Sequence, residues 1–567
     1  MLNDFAQSLL VILLSLGFTL LPLGYLGLHY LRFQLRQNTE SFHCEPPWSN
    51  PQPEAAVDTS APSLERPTVV GFFHPYCNAG GGGERVLWTA IHALQKRHPA
   101  VRAVVYTGDT DVDEATILNH AVAHFNIPLD ISRIHLVFLT QRHLVSDDRY
   151  PYLTLLGQSL GSVALGYEAL RAVVPDVFVD TMGYAFTYPL VWHLTGVPVV
   201  AYVHYPTISS DMVSKLPTAS QLSHLPLPHR LLKLTYTTGK RIYYSLFAKL
   251  YGWAGGHASR ITVNSTWTKN HIDQLWRSAP TSPDEDSEAS IASIEGARVV
   301  YPPCDTDAFQ SFPIDSRSNT IVSVAQFRPE KNHAQQLRAF ALYLRRPTVQ
   351  PGVRLVVLGS CRNQQDQDRV VKLRTLAEEL GVADRVEFVV NASFPELQLR
   401  LATALIGLHT MVEEHFGIGI VELMAAGLIP LANNSGGPRM DIVTPVPLDR
   451  TEASSLARQP TGIKALDKSL LVNAKPSPVF APTSLPDRAT GFLASTDEEY
   501  AACIGYIFDT LSDNQRHQLQ ERARQAAQDR FSQHQFEEVW CEVMAPYLKP
   551  SGLVRRPLHA QKKSDGQ

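Results

Sequence analysis

Cysteine is scarce in this chain. The 567 residues hold six, at Cys44, Cys77, Cys304, Cys361, Cys503 and Cys541, and no two of them form a C-x-x-C pair. That spacing argues against a disulfide framework and against a zinc site, and it fits a reducing compartment. Charge is sparse too, at 18% of residues with a net of −4, so no global field draws in nucleic acid. No Gly-Lys-Ser/Thr follows the chain's one long glycine run, which rules out a Walker A loop. A spaced G-x-G-x-x-G with a following acid is also missing, which disfavours a dinucleotide oxidoreductase. Finally, residues 5–31 contain no Asp, Glu, Lys or Arg.

That last absence implies a membrane anchor. A leucine-rich run of this length spans a bilayer as a tilted helix. It lacks the basic start and short apolar core of a cleaved signal, and Arg32 and Arg36 follow it. The positive-inside rule then puts the bulk of the chain in the cytosol. Residues 1–33 are the expected anchor and 34–66, dotted with proline, a linker.

Hydrophobic content of 44% over this length suits a globular protein of several domains. Short apolar runs such as Thr68-Val69-Val70-Gly71-Phe72-Phe73 and Val177-Phe178-Val179-Asp180 alternate with helical patterns. Further on, Thr320-Ile321-Val322-Ser323-Val324, Val353–Gly359, Arg385–Val390 and Ile429-Pro430-Leu431-Ala432 repeat the logic. Such alternation predicts parallel sheets covered by helices. The fold class is α/β, with two Rossmann-like domains facing a central cleft at residues 67–312 and 313–530. A proline-dotted insertion occupies 445–488, a helix at 531–552 packs back on the first domain, and 553–567 is a tail. Residues 231–253 mix Lys and Arg with Leu, Tyr and Trp, as either an interfacial helix pair or an ordinary domain helix.

Four constellations carry chemistry. Glu414 and Glu422 stand eight apart around Phe416, Gly417, Ile418 and Gly419, and the apolar Leu423-Met424-Ala425-Ala426-Gly427 helix follows. Two carboxylates and a flexible turn at a helix start suit a ligand bearing phosphate and sugar, or a merely capped helix. Gly80, Gly81, Gly82 and Gly83 join a strand to a helix and can present amides to phosphate. Arg328 and Lys331, in Arg328-Pro329-Glu330-Lys331-Asn332, can neutralise a diphosphate leaving group or form a solvated turn. His204 ends an apolar strand as a packed residue or a catalytic one. The turn Asn434-Ser435-Gly436-Gly437-Pro438 either only reverses the chain or lines the same site. Asp109-Thr110-Asp111 has a D-x-D form but lies in a polar loop, and no metal or other cofactor is expected.

Together these residues resemble the retaining glycosyltransferases of family 4, which have the GT-B fold. The resemblance implies that Glu422 holds the nucleotide ribose, Glu414 the donor sugar near its reacting carbon, and Lys331 the phosphates. It departs at Ala325-Gln326, where the family has Gly-Arg, and Arg328 is displaced by two residues. The run His74-Pro75-Tyr76-Cys77-Asn78-Ala79 through the glycines to Trp88, with Tyr202-Val203-His204-Tyr205-Pro206, is similar to the eukaryotic dolichol-pathway α-1,2-mannosyltransferases. That implies GDP-mannose as donor, a diphosphodolichol-linked oligosaccharide as acceptor and two successive additions. It also implies the cytosolic face of the endoplasmic reticulum membrane, with other dolichol-pathway mannosyltransferases as candidate partners. A transferase using another nucleotide sugar, or an inactive anchored binding subunit, stays open on the motifs alone.

Overall fold

A computed structural model describes residues 27, 29–35, 37–38, 67–146, 148–208, 212, 217, 226–276, 296–444 and 488–548. Most of the linker, the 445–488 insertion and the C-terminal tail lie outside the described residues.

Internal contacts divide the chain into two units. The first is residues 1–262, 271–298 and 537–567; the second is 263–270 and 299–536.

The first unit is built on β1 (Thr68–Phe73), β2 (Val101–Thr107), β3 (Ile134–Phe138), β4 (Val177–Asp180), β5 (Val199–Val203), β6 (Arg260–Val263) and β7 (Arg298–Val299). Their order is β3-β2-β1-β4-β5-β6-β7. Strands β1, β4 and β5 are buried almost throughout, as strands covered on both faces must be. Residues 231–253 fall within one helix, Leu227–Gly255, which sinks Phe247 and Tyr251 into the core. The last helix, Gln533–Met544, crosses between the units in sequence. Its later part belongs to the first, where Glu537 meets Lys96 at 3.1 Å and Trp540 packs edge-on to Tyr202.

The second unit carries β8 (Ser318–Val324), β9 (Arg354–Gly359), β10 (Val386–Val390), β11 (Ala404–Leu408), β12 (Ile429–Asn433) and β13 (Phe492–Ala494). Their order is β10-β9-β8-β11-β12-β13, parallel throughout. Alternation splits the core in two. Ile321, Leu355 and Val357 face one cluster, while Val322, Val356 and Leu358 face the other. Thr490 Oγ1 donates to Thr444 O at 3.0 Å, so the segments flanking the insertion meet.

In both sheets strand order reverses beside the first strand, between β1 and β4 and again between β8 and β11. Loops diverge at such a switch point and leave room for a ligand at the carboxyl ends of the strands.

One expectation is corrected. The N-terminal transmembrane helix, and the single-pass endoplasmic reticulum location drawn from it, are not supported: among the described residues no helix is long and apolar enough to cross a membrane. Most of residues 5–31 lies outside the described residues. The helical residues that follow the run dock on protein. Leu35 is 2% exposed, Arg32 Nη2 donates to His193 O at 2.6 Å, and Asn38 Nδ2 donates to Arg171 O at 2.8 Å. Apolar length reports only that a segment avoids water, and packing against protein satisfies that as well as lipid does.

Candidate functional site

In the first unit the site residues stand on the ends of β1, β4 and β5. His74 follows β1 and is 1% exposed, and its Nδ1 lies 2.7 Å from Thr181 Oγ1, which follows β4. Burial, and then the neighbouring His204, lower the His74 pKa to about 3. Burial lowers His204 to about 4, against a hydrogen bond with the Thr181 backbone. Both imidazoles are therefore neutral near pH 7.

The glycine run comes directly to His204. A Cβ on Gly83 would stand 3.6 Å from His204 Nε2 and 4.0 Å from His74 Cε1. The run is not wholly bare, however. Glu84, 4% exposed, accepts from Ala79 N at 2.7 Å and from Gly81 N at 2.8 Å. Burial raises its carboxyl pKa, and these amides oppose the rise. Gly82 and Gly83 open the helix Gly82–Arg97, a position whose N–H groups have no intrahelical acceptor, while Glu84 N and Arg85 N already donate to Gly81 O at 3.1 and 3.2 Å. Gly80 has φ +78°, which demands glycine. Gly81 and Gly82 have nothing within 4 Å of where a Cβ would sit, so their backbone faces open space. Sequence reasoning passed over Glu84, although an acid three residues after the helix start has capping-box spacing.

In the second unit the site stands on the ends of β8, β11 and β12. Lys331 lies on the turn after β8, and Glu414 on the loop after β11. Lys331 Nζ is 2.7 Å from Glu414 Oε2, and His409 Nε2 is 3.2 Å from the same oxygen. Burial alone would raise the Glu414 carboxyl, but the His409 hydrogen bond and the Lys331 charge outweigh it and hold the pKa at about 2. Thr410 Oγ1 donates to Lys331 O at 2.9 Å and accepts from Gln336 Nε2 at 3.0 Å, which ties the two loops together. Arg328 is held elsewhere, with its Nε 2.6 Å from Glu330 Oε1. The structure thus brings Lys331 to Glu414 and leaves Arg328 on its own turn.

The turn at 434–438 is the mould for the glutamate loop. Gly437 N donates to Glu414 O at 2.8 Å, and Ser435 Oγ accepts from Glu413 N at 2.8 Å. A Cβ on Gly436 would fall 2.3 Å from Glu414 O. Gly417, at φ +110°, begins the helix Ile418–Ala425, so Glu422 sits inside that helix rather than ahead of it. Glu422 and Gly419 line a pocket of about 50 Å³ with Phe309, Val324, Phe394 and Leu397. The Phe416 ring is core, 4% exposed and stacked on Tyr301, so only its backbone is available to a ligand. Sequence reasoning missed His409 and Thr410, because β11 follows the helix Phe394–Thr403 with no turn signal between them.

A family model described as "ALG11 mannosyltransferase N-terminus" matches residues 67–276, and "Glycosyl transferases group 1" matches residues 305–445. The GDP-Man:Man(3)GlcNAc(2)-PP-Dol alpha-1,2-mannosyltransferase of Mus musculus is 44% identical over 508 residues, spanning 88% of this chain and 91% of that protein. The chain belongs to this mannosyltransferase family. The Homo sapiens member is 45% identical over 85% of this chain and 87% of its own length. The member from Candida glabrata is 37% identical over 83% and 87%. Among solved structures, a sucrose-phosphate synthase from Thermosynechococcus elongatus aligns with TM-score 0.51 at 14% identity, covering 84% of this chain and all of that one. At that identity the likeness shows the family's two-domain, GT-B-like α/β fold alone.

Proposed function

We infer that this chain is a retaining α-1,2-mannosyltransferase. It moves mannose from GDP-mannose to a diphosphodolichol-linked oligomannose acceptor in N-glycan precursor assembly. The observation that carries the reading is the near-full-length match to relatives named for that donor and acceptor. A phosphate cradle and a sugar-facing carboxylate would by themselves suit any nucleotide sugar.

In the reaction the bond between mannose C1 and the GDP phosphate breaks, and the acceptor 2-hydroxyl bonds to C1 on the same face. The acceptor proton passes to the departing phosphate oxygen. Lys331 neutralises the charge that grows on that phosphate, and the charge-assisted contact strengthens as the bond breaks. Arg328 can join it only by leaving Glu330. Glu414 binds the mannose near C1, and its held-down pKa keeps it an anion that accepts hydroxyl hydrogen bonds. Glu422 takes the ribose hydroxyls, and the backbone of 416–419 lies along sugar and phosphate. Within the first unit, neutral His204 and the amides of Gly82 and Gly83 are the groups suited to meet a sugar phosphate. Support for these roles is positional: apart from Glu422, which lies within the helix Ile418–Ala425, these residues follow a strand end or open a helix at the carboxyl side of a parallel sheet.

The test is transfer by purified protein from labelled GDP-mannose, UDP-glucose or UDP-N-acetylglucosamine to a lipid-linked trimannosyl acceptor. Product from GDP-mannose alone is expected. Product from a UDP-sugar in its place, or none from any donor, overturns the reading.

A further inference from the structure

Glu414 Oε2 has two partners of different kinds. Lys331 belongs to the turn after β8 and keeps 22% of its side chain exposed. His409 belongs to the end of β11 and keeps 8% exposed. Its backbone is pinned on both sides, with His409 N donating to Leu431 O at 2.9 Å and Tyr500 Oη donating to His409 O at 3.0 Å. The carboxylate is an anion and only accepts, so His409 Nε2 carries the proton of that contact. Among the described residues His409 Nδ1 has no hydrogen-bond partner, so nothing fixes a proton there. One partner is therefore a flexible, partly exposed ammonium, and the other is a rigid, buried imidazole.

We propose that His409 is the positioning residue of the donor site: it holds Glu414 in place while Lys331 leaves it for the diphosphate. An ammonium that turns to a bound phosphate weakens its hold on the carboxylate it faced. Without a second donor Glu414 would then be free to rotate at the moment it must meet the sugar. His409 supplies that donor from a strand end that cannot follow Lys331. It orients the carboxylate by Oε2 and leaves Oε1 for the mannose hydroxyls. Catalytic groups misplaced by about 1 Å lose rate on the order of 100-fold, so a buried clamp of this kind has a measurable consequence. The inference rests on the reading of Glu414 as a donor-site carboxylate.

The experiment compares His409→Leu, His409→Gln and Glu414→Gln in the full-length protein, with GDP binding and steady-state transfer from GDP-mannose as readouts. His409→Leu should bind GDP within about threefold of the parent, since the phosphate contacts remain, and should lose kcat by about 10- to 100-fold. His409→Gln, whose amide can donate to Glu414, should recover most of that loss. His409→Leu combined with Glu414→Gln should be no worse than Glu414→Gln alone, because the clamp then has nothing to hold. A His409→Leu enzyme with kcat within twofold of the parent overturns the proposal. So does a folded His409→Gln enzyme as impaired as His409→Leu. If Glu414→Gln itself keeps full transfer, the reading of Glu414 falls first, and that result is separate from any outcome at His409. Should His409→Leu not fold, the tautomer in the parent protein decides, by nitrogen spectra of labelled histidine. A proton on Nε2 upholds the clamp, and a proton on Nδ1 alone overturns it.

Discussion

Lys331 Nζ lies 2.7 Å from Glu414 Oε2 across 83 residues of sequence. The contact joins the loops after β8 and β11, the two strands that flank the second unit's switch point. The cation proposed for the diphosphate is thus paired with the carboxylate proposed for the sugar. Four expected outcomes follow from this contact and from the first unit's glycine run and buried histidines.

Lys331→Ala should weaken GDP binding by roughly 10- to 100-fold, the range of one charge-assisted hydrogen bond of about 1.5–3 kcal/mol. Calorimetric titration with GDP measures it. Affinity equal to the parent's would remove Lys331 from the phosphate site.

The two glutamates should fail differently. Glu414→Gln should lower kcat with little change in KM for GDP-mannose, since its contact strengthens toward the transition state. Glu422→Gln should mainly raise KM and weaken GDP, since a ribose contact is the same in ground and transition states. Steady-state kinetics separate the two, and identical patterns would show that the roles are wrongly divided.

Gly81→Ala and Gly80→Ala make a matched pair. No protein atom occupies the space a Gly81 Cβ would enter, so that variant should melt like the parent. A loss of transfer in it then reports a ligand against the bare backbone. Gly80, at φ +78°, should cost about 1 kcal/mol or more of stability when given a side chain. Full activity in a folded Gly81→Ala protein would take the glycine run out of the donor site.

Acid should destabilise the fold early. The pKa values of His74 and His204 fall from 6.5 in the open chain to about 3 and about 4 when folded. Below pH 6.5 the unfolded chain binds protons that the folded one refuses, so stability decreases as pH drops from 6.5 toward 4 and levels off above 6.5. Glu414, lowered from 4.5 to about 2, adds a further loss only below about pH 4.5. Denaturant melts between pH 4 and 8 should show this slope, and His74→Gln should flatten it. An unchanged slope in that variant would mean His74 is not buried neutral.

Much of the architecture was legible along the chain. The runs that became β1, β4, β9 and β12 are largely apolar, and strands buried on both faces need nothing else. The central strand β11 was not seen, since Ala404-Leu405-Ile406-Gly407-Leu408 continues an apolar helix without a break. With it went His409, which has no motif of its own. The anchor was over-read for a related reason. Residues 5–31 lack charge, yet just past them Leu35 is buried on the protein and Arg32 is satisfied by a backbone carbonyl.

By itself the sequence determined which residues are chemically able to act: Lys331, the two glutamates, His204 and the glycines. Residue type and spacing are local properties, and so is the resemblance they carry to a transferase family. Tertiary structure alone decided the partners. Lys331 rather than Arg328 meets Glu414, His409 shares its oxygen, and Glu84 takes the amides of Ala79 and Gly81. Those pairings depend on which strands lie side by side in a sheet, and strand order is a long-range outcome of packing that no short segment encodes.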